Sequence, residues 1–172
     1  MDNIREYIIS FTQELSKDLP QSYVPPSEGA KSKTEMVIAA SLFKNTRGYI
    51  ERVVMQINGS YEQGWYDSCA VMIRRLLETL IIEVFEKHKI ADKIKNPKTN
   101  DFCYLSDLIT ITLSEASWNL SRNTKQVMPK LKNIGDLSAH SRRYNAHRSD
   151  IDNIIQDLRI VAQELIYLAG LK

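Results

Sequence analysis

Hydrophobic residues recur at every third or fourth position along most of the chain, which is the spacing of helices that bury one face. One run is ambiguous: "LSDLITITL" at 105–113 alternates apolar residues with threonines, as a strand would. In the same run Leu105, Leu108 and Ile109 suit a helix. Because a single strand without partners is not stable, we predict a short helix there and an all-α fold.

The most apolar element is predicted from about Tyr61 to His88. Its stripe keeps the 3.6-residue period and is wide enough for a helix that is covered on several sides. The stripe consists of Trp65, Cys69, Ile73, Leu76, Leu77, Leu80 and Val84, widened by Met72, Ile81, Ile82 and Phe85. We expect this helix to be the centre of the bundle.

The N-terminal part divides into a helix over 1–18 and a linker over 19–33. Asp2 is available as the N-cap of the first helix, and three prolines and a glycine make the next stretch extended. We expect helix 1–18 to pack as an arm beside a bundle domain at 34–172. A capping box, "SKTE" at 32–35, opens a second helix that is predicted to stop at "NGS".

Two more helices are predicted in the C-terminal third. One begins at about Thr124 and breaks after His140, with Pro129 tolerable only near its first turn. The other begins at "SDID", where Ser149 can cap, and runs to Gly170. The prediction is an all-α bundle of five to six helices, mostly antiparallel because several connections are short.

Composition indicates a folded protein of the reducing cytoplasm. The chain has 172 residues, 43% hydrophobic and 26% charged, which is ordinary for one globular domain. Cys69 and Cys103 form no CxxC motif, and no apolar run approaches the roughly 20 residues that span a bilayer. The N-terminus lacks the pattern of a signal peptide. We therefore expect a soluble, cytoplasmic protein with no membrane contact.

Charge is unevenly distributed although the net charge is only +2. Within 122–148 there are seven basic residues and a single acid, Asp136. Such a segment can create a local positive field for an anionic partner. The alternative is a solvated helix face without a ligand.

The stretch "GDLSAHSRRYNAH" at 135–147 holds two of the three histidines. On a helix Asn133, Asp136 and His140 share a polar stripe, so the carboxylate could orient the imidazole and raise its pKa for acid–base chemistry. The alternative is a histidine near a helix C-terminus, where positive charge favours the dipole. There is no Gly-rich phosphate loop and no HExxH, and we predict neither a metal nor a cofactor.

The segment "RRLLE" at 74–78 places two arginines in the predicted central helix. Guanidinium groups in such a place need an acid or an anion. Arg74 can pair with Glu78 one turn later, so we expect Arg75 to reach another helix or a ligand. A further set is predicted to serve core and edge packing rather than base stacking: Trp65, Tyr66, Trp118 and Tyr144.

Two segments together resemble a known superfamily. "YEQGWYDSCAVMIRRLLETLIIEVFEKH" is followed by "LKNIGDLSAHSRRYNA" and a closing amphipathic helix. Over about residues 35–170 they are similar to helical domains of unknown function, found alone or fused to restriction-type subunits, that are grouped with the HEPN (higher eukaryotes and prokaryotes nucleotide-binding) superfamily.

The resemblance implies an antiparallel bundle that often dimerises and, in active relatives, cleaves RNA without metal. An arginine and a histidine about four to six residues apart serve there, the histidine in proton transfer and the arginine in charge stabilisation. Arg142 and His147 fit that separation, whereas His140 fits the Gly-x-x-x-Ala-His pattern. These three are the candidate catalytic residues. Phosphate binding is assigned to Arg74, Arg75, Lys132 and Arg143, with Asp136 and Asn145 in support.

Two functions follow as hypotheses. The first is a HEPN-like homodimer that binds RNA or a nucleotide phosphate and acts as a metal-independent endoribonuclease in a defence or toxin-type role. The alternative is a non-catalytic module for dimerisation or for binding a protein partner, in which "GDLSAH" is a structural helix end.

Overall fold

The computed structural model describes residues 37–172, and this part of the chain is helical without a strand. An isolated β-bridge joins Lys95 and Phe102 in the loop that follows the second helix. None of the helices described over 37–172 has the length and apolar character needed to cross a bilayer. The helices are α1 (Gly48–Glu62), α2 (Tyr66–Lys87), α3 (Leu105–Ser114), α4 (Arg122–His140), α5 (Arg148–Asp152) and α6 (Ile155–Leu168), with 3₁₀ turns at Ala40–Leu42 and Ala91–Ile94.

Three predicted N-terminal features lie outside the described residues. They are the helix at 1–18, the linker at 19–33 and the capping box at 32–35. Their boundaries stay predictions.

The core surrounds α2, as its wide apolar stripe predicts. α2 packs against α1, α4 and α6, and its side chains Ile73, Leu76 and Leu80 are buried. Its start differs from the prediction, because residues 63–65 separate it from α1. Gly64 has a φ of 76°, a conformation that glycine adopts without the steric cost of a Cβ.

The segment before α1 is not the continuous helix that was predicted. A 3₁₀ turn at Ala40–Leu42 is followed by Asn45, whose φ is 66°. The Asn45 backbone N–H donates to Glu51 Oε1 at 2.8 Å, which holds the chain in this turn. Asparagine tolerates the left-handed region better than most residues, so helical spacing alone did not predict the break.

The "NGS" stretch does not end α1, which continues to Glu62. Asn58 is only 2% exposed, and its Oδ1 accepts hydrogen bonds from the backbone N–H groups of Val37 and Ile38 at 3.2 and 3.1 Å. Its Nδ2 donates to the Ile38 carbonyl at 2.8 Å. The residue predicted to stop a helix therefore fixes the beginning of the described chain against α1.

The short helix predicted at 105–113 is confirmed as α3. α4 begins two residues before the predicted start, because Ser121 is its N-cap and accepts from the Thr124 backbone N–H at 3.2 Å. The prediction for Pro129 is wrong, since it lies well inside α4. Pro129 is exposed. The backbone carbonyl one turn earlier has no N–H donor from proline and can bind water instead.

The last predicted helix is divided in two. α5 begins after His147, not at a Ser149 cap, and the His147 backbone N–H donates to Asp150 Oδ2 at 2.8 Å. A turn at residues 153–154 separates α5 from α6. The predicted end is confirmed: Gly170 has a φ of 59°, and its N–H donates to the Tyr167 carbonyl.

We expect Asn58→Ala to lower the free energy of unfolding by about 1–3 kcal/mol, because it leaves buried backbone donors without acceptors. Urea denaturation monitored by circular dichroism measures the change. Asn133→Ala is the control, since Asn133 is an exposed asparagine of α4. Equal stability of the two variants would contradict the role of Asn58.

Candidate functional site

At Gly135 the backbone of α4 lies directly against α2, with no room for a side chain between them. A Cβ built on Gly135 would lie 2.5 Å from Arg74 Cβ and 3.0 Å from the Ala70 carbonyl oxygen. Real Cβ atoms do not approach other carbons so closely, so another residue here would force the helices apart. The glycine of "GDLSAH" is therefore explained by helix packing.

Asp136, the next residue, joins the same two helices by an ion pair. Its Oδ1 accepts from Arg74 Nε at 2.7 Å, and its Oδ2 accepts from Lys132 Nζ one turn earlier in α4. Arg74 is also 3.8 Å from Glu78 on α2. The side chains of Arg74, Asp136 and Lys132 are each about three-quarters buried. We call Arg74, Asp136, Lys132 and Glu78 the crossing network.

The crossing network shifts the acidity of its central carboxyl. Burial by itself raises the pKa of Asp136, but the hydrogen bonds from Lys132 and Arg74 outweigh burial and hold the pKa below its usual value. Asp136 is therefore ionised throughout the neutral range and neutralises its two cations.

These contacts correct several predicted roles. Asp136 pairs with Arg74 and Lys132, and over residues 37–172 it makes no contact that orients His140. Arg74 and Lys132 both form ion pairs with Asp136, so neither cation is unpaired in the crossing network. Their role in phosphate binding stays a prediction. The predicted Arg74–Glu78 pair is confirmed at 3.8 Å. It is Arg74, however, and not Arg75, that reaches the other helix, while Arg75 is exposed.

The break predicted after His140 is confirmed, and residues 141–147 form the loop between α4 and α5. Two carboxylates hold the backbone of this loop. The Ala146 N–H donates to Asp67 Oδ1 in the first turn of α2 at 2.9 Å. Asp150 Oδ2 accepts from the His147 N–H, and also from the Tyr144 hydroxyl at 3.1 Å. We call residues 140–147 the basic loop, including the helix end.

Most polar side chains of the basic loop are free while its backbone is fixed. Those that are exposed and make no hydrogen bond or ion pair with residues 37–172 are His140, Arg142, Arg143 and Asn145. His147 is exposed as well and is the N-cap residue of α5. The structure therefore brings the three candidate catalytic residues, together with Arg143 and Asn145, into one short segment. It leaves Arg74, Lys132 and Asp136 in the crossing network and Arg75 exposed on α2.

A second polar group lies next to the basic loop and was not predicted. Tyr61, at the end of α1, donates its hydroxyl hydrogen to Asp152 and accepts from Arg148 Nε at 3.0 Å. Burial and the Asp152 contact raise the pKa of Tyr61. No spacing in the sequence connects residues so far apart in the chain.

The four aromatic residues have different roles. Trp118 packs as predicted, with its ring centroid 5.0 Å from that of Phe85. Tyr66 and Tyr144 are half-buried. Trp65, by contrast, is 63% exposed, so the prediction that it serves packing is wrong. It lies directly before α2, as the N-cap residue of that helix.

Comparison with known proteins gives no match to a family model, to a curated protein or to a solved structure. Among residues 37–172 no group of three or more histidines, cysteines and acids could hold a metal ion. The side chains of the site are therefore the basis for a proposed function.

We expect Gly135→Ala to destabilise the fold by about 1–3 kcal/mol through overpacking between α2 and α4. Gly59→Ala is a matched control in α1, where a Cβ meets nothing within 4 Å. Alanine should raise stability there by about 0.4–1 kcal/mol. Thermal and urea denaturation of both variants give the comparison, and equal changes would argue against the close approach at Gly135.

We expect Asp136→Asn to destabilise the protein at neutral pH by about 1–3 kcal/mol, because two half-buried cations lose their carboxylate. The folded-state pKa is below the unfolded value of about 3.9, so this contribution is complete above that value. It is lost as the pH falls through the lower folded pKa. Urea titrations at neutral pH and at progressively lower pH should show the difference between wild type and variant shrinking. Asp101→Asn, in an exposed loop, should show no such convergence.

Proposed function

We propose that the basic loop binds RNA or a nucleotide phosphate and that the chain is a HEPN-like domain. One observation supports this most: Arg142, Arg143, His140 and His147 lie exposed to solvent on a backbone that Asp67 and Asp150 anchor. A fixed backbone lowers the entropy lost when the loop binds a ligand.

Phosphate is the ligand chemistry that suits these side chains. A guanidinium group presents a planar fork that matches two phosphate oxygens, and histidine adds a donor. In the crossing network Arg74 already has its carboxylate, whereas Arg142 and Arg143 have none among the described residues. Net charge of only +2 means that attraction of a polyanion depends on this local group.

The direction of the contacts supports the antiparallel arrangement that belongs to this proposal. Asp67, near the start of α2, contacts Ala146, which follows the end of α4. Arg74, about two turns further along α2, contacts Asp136, which lies before that end. The two helices therefore run in opposite directions. Dimerisation and a cytoplasmic location complete the proposal. Two free cysteines agree with the latter, and burial raises the pKa of Cys69 to about 12.

We extend the proposal from RNA binding to RNA cleavage by the residues of the basic loop. One histidine accepts the proton of the ribose 2′-hydroxyl, and the 2′-oxygen then forms a bond to phosphorus. The bond between phosphorus and the 5′-oxygen breaks, and the second histidine, which is protonated at the start, donates its proton to that oxygen. The products are a 2′,3′-cyclic phosphate and a 5′-hydroxyl. Arg142 stabilises the charge on the phosphoryl oxygens. No cofactor enters this step.

A second candidate function is a non-catalytic interaction module, possessing no ligand chemistry. The crossing network favours it, because Gly135 and Asp136 are explained by packing alone. A shallow groove of about 470 Å³ on α6, with exposed Ile160 and Tyr167, offers a surface for a second copy or a protein partner.

We expect Arg142→Ala/Arg143→Ala to weaken RNA binding and to reduce its salt dependence. The slope of log affinity against log salt should fall by about 0.7 for each single-strand phosphate that the variant no longer neutralises. Arg52→Ala/Lys98→Ala removes the same charge from exposed sites outside the basic segment 122–148 and should leave most of the affinity. Fluorescence anisotropy with a labelled RNA over a salt series measures both quantities.

Cleavage is tested by incubating RNA with the protein in EDTA. Loss of cleavage in His140→Ala or His147→Ala would support the nuclease, with products carrying a 2′,3′-cyclic phosphate. Binding without cleavage by wild type would limit the function to binding. Intact RNA together with absent binding would reject the proposal and favour the interaction module.

A further inference from the structure

Trp65 is a large aromatic side chain that the fold leaves in solvent. It is 63% exposed and takes part in none of the ring contacts among residues 37–172, which pair Tyr61 with Tyr66 and Trp118 with Phe85 and His88. Its backbone is nevertheless fixed. The Trp65 N–H donates to the Ser60 carbonyl at 2.8 Å, and its carbonyl accepts from the Cys69 N–H at 2.9 Å.

The basic loop is tied to the same end of α2. Asp67, which holds the Ala146 N–H, follows Trp65 by two residues. The N-cap residue of α2 therefore carries the exposed indole, and the first turn of α2 carries the anchor of the loop. Arg142, Arg143 and His147 lie within four residues of Ala146 in the chain, so the exposed indole and these cationic side chains lie at the same end of α2.

The other strongly exposed aromatic residues lie towards the opposite end of α2. Tyr167 comes three residues before Gly170, which lies beside the side chain of Lys87, the last residue of α2. Tyr104 lies in the segment that follows α2 and leads into α3. Trp65 instead directly precedes α2, at the end to which the basic loop is anchored.

We propose that Trp65 and the basic loop form one binding surface for single-stranded RNA, with an unpaired base stacked on the Trp65 indole and the adjoining phosphates bound by Arg142 and Arg143. This inference rests on the proposed RNA binding and adds the substrate class. A base offers its face to an indole only when it is unstacked, which duplex RNA does not allow. Every base has such a face, so recognition by Trp65 tolerates sequence.

The test compares a labelled, mixed-sequence RNA strand of about 16 nucleotides, near the upper site size of single-strand binding folds, with the same strand annealed to its complement. We expect Trp65→Ala to weaken single-strand binding by roughly 5- to 150-fold, the range that one base stack contributes. Duplex binding should barely change. Trp65→Phe keeps an aromatic face and should recover most of the affinity. Tyr167→Ala, which removes another exposed ring, should behave like wild type.

Fluorescence gives a second measurement that does not depend on affinity. Because the chain has two tryptophans, Trp118→Phe leaves Trp65 as the remaining one. A single strand should quench its emission and protect it from acrylamide, whereas the duplex should do neither.

The outcomes separate the two proposals. If wild type binds neither RNA, the proposed function fails and this inference fails with it. If wild type binds RNA but Trp65→Ala matches it on both forms, RNA binding stands and the Trp65 surface is rejected. Concentration-dependent protection of Trp65 without RNA, accompanied by dimers in sedimentation, would assign the indole to a contact between copies and also overturn the inference.

Discussion

The contact between α2 and α4 at Gly135 is the constraint on which the other features depend. With no side chain at this position, Arg74 lies directly against α4 and its guanidinium reaches Asp136. A carboxylate at that point neutralises the arginine of one helix and Lys132 of the other, so half-buried charges do not remain unpaired. The register of the two helices is thus fixed by sterics and by charge at neighbouring residues.

The same contact determines which basic groups stay available. Cations that face the helix crossing are neutralised there, and those beyond the end of α4 are not. The basic loop begins at the C-terminal end of α4, past the turn that carries Asp136. Its distance from Asp136, and not its composition alone, separates Arg142 and Arg143 from Lys132.

Helix positions followed from the sequence because apolar periodicity is a local property. The central place of α2, the short α3 and the break after His140 were all predicted on that basis. Asn45 and Asn58 were not: one takes a left-handed conformation, and the other acts through partners about twenty residues away. The same limit applies to α5 and α6, since helical spacing continues across the turn that divides them.

The candidate site shows the limit more sharply. One turn before Asp136 stands Lys132 and one turn after it stands His140, so helical spacing offers the carboxylate either partner. In the structure Asp136 pairs with Lys132 and also with Arg74, a partner that is distant in sequence. Likewise nothing in the apolar stripe of α2 distinguished Trp65 from buried residues later in the helix, because its exposure depends on where the neighbouring elements end.

The anchoring of the basic loop by Asp67 and Asp150 has a consequence for divergence. Both carboxylates bind backbone N–H groups, which are present whatever residue, other than proline, occupies Ala146 or His147. The exposed side chains at 142, 143 and 145 can therefore change without disturbing the helices on either side. Ligand preference in this fold can evolve by point substitution in a loop whose path remains the same.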